Sequence, residues 1–222
     1  MKCILFIFIV VNSLLVAGLP GEYYDIKDTK QMKQYFFKFI KTIAVRQNRL
    51  ILEDRKTVIK YYSQKDNAKL QKIQKRYKLK SADSLNKHLK HIDIVPISIV
   101  LSQAAVESGW GRSRFAKQAN NIFGQWTWNG KGLVPRSRDA NKKYKIKVFN
   151  SLEASVRGYL INLNIGHGYV DFRDKRETLR QNNDKLLGSV LVGTLVNYSQ
   201  LREKYVDILY NIIKREKLER FD

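Results

Sequence analysis

A mostly α-helical fold of the α+β class, with one small β-hairpin lobe and an N-terminal helical extension, is what this 222-residue sequence predicts. Three observations predict it. Apolar residues recur at helical spacing through 29–62 and 66–92, and neither Pro nor Gly occurs between Glu22 and Pro96. Residues 94–111 are apolar on nearly every side, as in a buried helix. After Gly124 the period changes to two: Trp126 and Trp128 alternate, and Tyr144-Lys-Ile-Lys-Val148 alternates apolar with basic residues.

The chain opens with a segment that is not part of the fold. Met-Lys, an apolar run from Cys3 to Val11, and Val16-Ala17-Gly18 read together as a secretory signal peptide over 1–18, with a mature start at or near Leu19. The run is shorter than the about 20 apolar residues of a membrane span; an uncleaved anchor is the alternative. Cys3 is the one cysteine, so the mature chain is expected to carry no disulfide and no cysteine-held metal.

Residues 19–92 form the N-terminal helical region. Met32, Tyr35-Phe36, Phe39-Ile40, Ile43-Ala44, Leu50-Ile51 and Val58-Ile59 keep one helical period, with Asp28 or Thr29 as N-cap. Leu70, Ile73, Tyr77, Leu85 and Leu89 continue in the same style among lysines. This region is expected to pack on a second unit, residues 93–222.

The helix within 94–111 holds the candidate chemistry. Pro96 suits a first turn, and Gly109 and Gly111 end the run. Ile97, Val100, Leu101, Ala104 and Ala105 form its main stripe. Charged residues make up 28% of the chain, yet Glu107 is the single one between Asp93 and Arg112. It falls at the edge of that stripe. Apolar surroundings destabilise a carboxylate, so such a group keeps its proton to higher pH and suits general acid catalysis. A solvated helix-end glutamate, or one paired with Arg112 or Arg114, is the plainer reading of the same spacing.

Beyond Gly124, Asn129-Gly130 signals a tight hairpin within the β-lobe. Ser151 begins a helix with Leu152, Val156, Tyr159-Leu160 and Leu163, and Leu201, Tyr205, Ile208-Leu209 and Ile212 mark a last one.

Ile99-Val-Leu-Ser-Gln-Ala-Ala-Val-Glu107-Ser-Gly-Trp-Gly-Arg-Ser113, followed by Phe115-Ala and Asn120-Asn-Ile-Phe-Gly124, resembles the core signature of the glucosaminidase family of bacterial cell-wall hydrolases (glycoside hydrolase family 73, with a mannosyl-glycoprotein endo-beta-N-acetylglucosaminidase-like domain). Leu195-Val-Asn-Tyr198-Ser-Gln-Leu-Arg-Glu-Lys-Tyr205-Val resembles its Bax-like subgroup. The resemblance spans residues 93–215 in outline. It implies a lysozyme-like helical domain whose β-lobe flanks a cleft, peptidoglycan glycan strands as substrate, and Glu107 as catalytic acid. It also implies a role for Tyr198, although Asn197 stands where a glycine usually precedes that tyrosine.

Glycoside hydrolysis usually employs two carboxyl groups. Between Ser108 and Leu152 the one acidic residue is Asp139, in Arg136-Ser-Arg-Asp139-Ala-Asn-Lys-Lys. Neighbouring cations would keep it ionised, as a base or stabiliser requires; a surface turn aspartate is the alternative. The family usually has a glutamate in this lobe, and an inverting water or the substrate's acetamido group could take its place. Tyr198 is expected to orient that acetamido group or to stabilise developing charge; a helix-start tyrosine with a hydrogen-bonded hydroxyl is the alternative. Trp126 and Trp128 offer aromatic faces for a sugar ring, or else pack the β-lobe. Asn120, Asn121 and Phe123 are expected to shape the cleft floor.

The remaining signals are bland. His88, His91 and His167 read as surface residues with no third metal ligand placed, and the helix dipole suffices to explain Glu153. No phosphate-binding glycine loop or nucleotide motif is present, so no nucleotide cofactor is expected, and no metal. The net charge of +22 implies affinity for polyanions; nucleic acid is one candidate, but an exported protein rarely meets it, so anionic envelope polymers, and no nucleic acid, are the expected partners. The sequence thus predicts an exported endo-β-N-acetylglucosaminidase of the periplasm or cell surface. A lytic transglycosylase using Glu107 alone and a non-catalytic basic wall-binding protein are its rivals.

Overall fold

The computed structural model describes residues 18–64, 67–136, 138 and 141–222. Asp139 and, apart from Gly18, the signal-peptide reading of 1–18 lie outside these residues.

The chain begins with a short helix, α1 (Gly21–Asp25), and a 34-residue helix, α2 (Thr29–Tyr62). Asp28 caps α2 by accepting the Gln31 amide at 2.7 Å. Phe36, Ile40, Ala44, Ile51 and Val58 form the buried stripe of α2. Helical continuity then breaks at Lys78 (φ +53°), separating α3 (Asn67–Tyr77) from α4 (Leu85–His91). Ser84 caps α4 through the Lys87 amide at 3.2 Å.

The helix in 94–111 is α5 (Ile97–Ser108), which lies at the centre of the molecule. Residues 97–105 are buried without exception, and α2 packs along them. Gly109 ends α5 in a left-handed conformation (φ +54°). At its other end Asp222 accepts the Ser98 amide at 2.8 Å and the Ser98 hydroxyl at 2.6 Å. A far-distant side chain thus caps the central helix.

Next come α6 (Arg114–Ala119) and the strands β1 (Trp126–Thr127), β2 (Gly132–Leu133) and β3 (Lys145–Lys147). Their order is β1-β3-β2, antiparallel. Here the tight-hairpin expectation is corrected: Asn129-Gly130 turns the chain, but β1 and β2 do not pair with each other. Both take β3 as partner, Trp126 opposite Ile146 and Leu133 opposite Ile146. Ile146, the buried residue of the strands, sits between them and anchors both to the core.

Ser151 caps α7 (Leu152–Ile165) as expected, at 3.1 Å from the Ala154 amide. Then α8 (Val170–Gln181), α9 (Gly188–Leu191), a 3₁₀ segment (Val192–Tyr198), α10 (Glu203–Arg215) and a final 3₁₀ turn (Leu218–Phe221) close the core. Charged residues hide the helical period of α8, because two of its inward positions are Arg173 and Arg176. The last helix starts at Glu203, so Leu201 precedes it and is exposed.

Those arginines belong to an ionic knot around Asp93. Arg180 grips both Asp93 oxygens at 2.9 and 3.0 Å, and Arg55 approaches to 3.9 Å. Fully buried Arg176 donates to the carbonyls of Lys90, Asp93 and Ile94. Burial by itself would raise the Asp93 carboxyl, but the Arg180 hydrogen bond and the charges of Arg176, Arg55 and Arg180 outweigh it and hold it low. Asp93→Asn is expected to lower unfolding stability by about 3 kcal/mol, because it strands buried cations. A carboxyl depressed by folding adds stability above its unfolded pKa and loses it as pH falls through the folded one. Urea unfolding should therefore show a large gap at neutral pH that closes in acid.

The surface reading of the histidines is corrected for His88. It is fully buried, with Nδ1 2.9 Å from the Ser84 carbonyl and Nε2 3.4 Å from Gln74. His91 is half-buried, and burial together with the Arg173 charge lowers its pKa to about 4. His167 alone of the three is exposed.

Candidate active site

Glu107 sits in the last turn of α5, half-buried at the edge of the core. Neither Arg112 nor Arg114 pairs with it. Arg112 donates to the Ile26 carbonyl at 2.9 Å, and Arg114 to the Val134 carbonyl at 2.9 Å. The partner of Glu107 is Tyr205 of α10, whose hydroxyl donates to Oε1 at 2.6 Å. Behind it stands a buried relay. Gln103, one turn before Glu107, donates its amide to the Tyr205 oxygen at 2.9 Å and accepts the Tyr159 hydroxyl on its own oxygen. Every donor in this chain points toward Glu107, which fixes the rotamer of its carboxyl group.

Burial raises the Glu107 pKa above the ordinary glutamate value, and the Tyr205 hydrogen bond opposes the shift without cancelling it. No other carboxylate among the described residues contributes to its ionisation. The neighbouring phenols stay protonated: burial first, and the Glu107 charge second, raise the pKa of Tyr205 and Tyr198, and burial above all raises that of Tyr159. The surroundings of Glu107 are thus neutral hydroxyls and rings.

Its other oxygen, Oε2, accepts no hydrogen bond among the described residues. Gly124 lies beside it: a Cβ there would stand 3.8 Å from Oε2, an ordinary van der Waals contact, and φ +64° disfavours any other residue. A carboxyl with one oxygen fixed and the other free of described hydrogen-bond partners has an oxygen left to carry a proton.

Of the remaining sequence candidates, Tyr198 touches this pair directly and Phe123 is joined to it through Tyr198. Tyr198 lies in the 3₁₀ segment, its ring stacked on Tyr205 at 5.6 Å with 2° between the planes. Its hydroxyl donates to the Phe123 carbonyl at 3.1 Å, so Tyr198 ties α10's approach to the loop bearing Gly124. Phe123 is buried and stacks on Tyr159 at 3.9 Å. Asn121 is also buried; its amide donates to the Gln125 and Lys147 carbonyls at 2.8 Å each, and its oxygen accepts the Gln125 amide at 3.0 Å. Asn121 and Phe123 therefore fix the loop that carries Gly124. Trp126 and Trp128 are not lobe core, being 52% and 65% exposed. Trp126 stacks on Tyr144 at 4.4 Å and meets Trp128 edge-on, making a solvent-facing aromatic surface. Glu153 is claimed by Gln47 at 2.6 Å and Arg46 at 2.7 Å.

Tyr205, Gln103 and Tyr159 are the site residues that the sequence did not single out. One signal was available: Gln103 lies four residues before Glu107, hence on the same helix face, as a polar residue within an apolar run. Among the described residues no group of three or more His, Cys, Asp or Glu side chains is placed to hold a metal ion.

A helical domain with a β-lobe, holding a carboxyl kept protonatable at the edge of its core, is the arrangement a glycosidase requires. The chain belongs to the glucosaminidase family: the family described as mannosyl-glycoprotein endo-beta-N-acetylglucosaminidase matches residues 82–218, more than half of its length. It is similar to Protein bax of Escherichia coli (strain K12), 31% identical over 212 residues that cover 90% of this chain and 74% of that protein. No solved structure matches it.

Proposed function

We propose that the protein is an exported peptidoglycan hydrolase, an endo-β-N-acetylglucosaminidase that cuts the β-1,4 bond after N-acetylglucosamine with Glu107 as general acid. The observation that carries this reading is the Glu107 carboxyl itself, raised by burial, fixed through Oε1 by Tyr205 and free of described hydrogen-bond partners at Oε2. Protonated Oε2 gives its proton to the departing glycosidic oxygen. Tyr198 and Tyr205 form a neutral wall beside the reacting carbon, and the exposed Trp126 and Trp128 receive sugar rings along their faces. Residues 19–92 act as a helical platform for the catalytic unit 93–222, since α2 lies along α5. Asp139 is the candidate for the second carboxyl role.

One observation favours a second reading. No described carboxylate influences Glu107, as suits a lytic transglycosylase, which needs a single acid and cyclises its product without water. Mass spectrometry of fragments released from purified peptidoglycan separates the two. N-acetylglucosamine at the new reducing ends is the expected result. Anhydro-muramyl ends would assign the transglycosylase instead, and absence of any release would favour a wall-binding protein.

No helix of the described residues is long and apolar enough to cross a membrane. The apolar start of the chain supports export, the processed protein acting outside the cytoplasm.

A further inference from the structure

Two basic concavities flank the turn that follows the Glu107 helix. One, about 650 Å³, lies between α6 and the segment after β2 and is lined by Arg112, Arg114, Lys117 and Arg136. Among the described residues no acidic side chain lines it. The other, about 550 Å³, lies along α2 and includes Lys30, Lys33, Lys38, Lys41 and Arg220 against Glu216 alone. Only Lys33 of these cations meets that carboxylate, at 3.0 Å. The hollow at Asp93 is the contrast, since its arginines and Lys90 face Asp93 and Glu177.

Trp110 lies between the residues of the two concavities and links them. Lys33 lies over the Trp110 ring at 4.8 Å, and Arg112 over the Tyr23 ring at 5.4 Å. Tyr23 in turn donates its hydroxyl to the Trp110 carbonyl. Lys117 lies over Tyr24 and Lys41 over Phe221, so these side chains rest on aromatic faces. Arg112 spends both terminal nitrogens on the carbonyls of Tyr23, Tyr24 and Ile26 and is a fixed charge, whereas Arg114 commits one terminal nitrogen to the Val134 carbonyl. Cations prearranged in this way, with Glu216 as the one carboxylate among the described lining residues, form a band suited to an external polyanion.

We infer that this band binds a flexible, hydrophilic polymer carrying repeated phosphodiester groups, and so holds the enzyme on a phosphate-bearing envelope. Length favours a polymer over a small anion. From Lys30 to Lys41 the helix rises about 16 Å, at about 1.5 Å per residue, before the chain reaches Trp110 and the second concavity. The guanidinium groups of Arg114 and Arg136 suit tetrahedral phosphate oxygens, with Arg112 adding a fixed charge beside them. A membrane surface is disfavoured, because the large exposed apolar side chains lie outside both linings. Nucleic acid is disfavoured as well: exposed Trp126 and Trp128, which could stack on bases, are in neither lining. The inference rests on the export proposed above only for the origin of the polymer.

Binding of the full processed chain to fluorescent poly(glycerol phosphate), read by anisotropy across a salt series, tests this without turnover. Activity on polymer-free glycan is read separately, so failure here leaves the glucosaminidase reading standing. Two triple variants, Arg114→Gln/Lys117→Gln/Arg136→Gln and Lys30→Gln/Lys38→Gln/Lys41→Gln, are compared with Lys60→Gln/Lys72→Gln/Lys75→Gln, which removes equal charge elsewhere. Each band variant should bind about tenfold more weakly and with a shallower salt slope, because fewer neutralised phosphates release fewer counterions. The control should change less than about twofold. Equal weakening of all three, or unchanged binding in the band variants with circular dichroism intact, would overturn the inference. Phosphatidylglycerol vesicles bound more tightly than the polymer at equal phosphate would overturn it in favour of a membrane.

Discussion

Glu107→Gln is expected to abolish turnover on purified peptidoglycan while leaving the fold intact. The substitution keeps shape and the Tyr205 hydrogen bond but removes the proton. General acid catalysis is typically worth about 10²–10⁴-fold, and no second carboxyl lies beside Glu107 among the described residues to replace it. Linkage separates this loss from unfolding. A carboxyl whose pKa is raised by folding costs stability once pH exceeds its unfolded pKa, because the native state resists the ionisation that the unfolded chain undergoes. The variant carries no such group. It should be at least as stable as the wild type at neutral pH, with the two converging in acid. Reducing-end release and thermal unfolding on the same samples check both halves; near-normal release from the folded variant would end the assignment.

Tyr205→Phe is expected to act differently, through the pH profile. As the acid, Glu107 works protonated, so activity should fall as pH rises through its pKa. The Tyr205 hydroxyl donates to Oε1 and favours the carboxylate, pulling that pKa back toward its ordinary value. Without the hydroxyl the pKa rises further, and the alkaline limb should move to higher pH. The plateau rate should fall about tenfold, since a hydrogen bond to a charged group is worth about 1.5–3 kcal/mol and here also fixes the carboxyl's direction. Profiles of kcat for the wild type and variant decide it. A lower plateau with an unmoved limb would mean that Tyr205 only packs.

Glu107 was legible because a lone charge in an apolar helix stands out and its helix length limits where it can lie. The capping residues Asp28 and Ser151 were legible for a similarly local reason, since a cap needs only its own turn. Tyr205, Tyr159 and Gln103 were not: they come from α10, α7 and α5, and each looks alone like a core position of an amphipathic helix. Only tertiary packing brings their hydroxyl and amide groups into line. Asn129-Gly130 shows the opposite failure. Its local geometry is a good turn, yet strand pairing was decided by Ile146, which buries itself between β1 and β2. His88 misled because imidazole among lysines reads as polar surface, whereas Gln74 and the Ser84 carbonyl satisfy it inside. The glucosaminidase motifs point to Glu107, and the structure adds how its carboxyl is held.

Most direct for the central claim is a carbon-13 titration of the Glu107 side-chain carboxyl in the wild type, assigned by its loss in Glu107→Gln. The account predicts a midpoint above the ordinary glutamate pKa of about 4.3, coinciding with the alkaline limb of peptidoglycan cleavage. A midpoint at or below that ordinary value, or a limb that does not follow it, would contradict Glu107 as the proton donor.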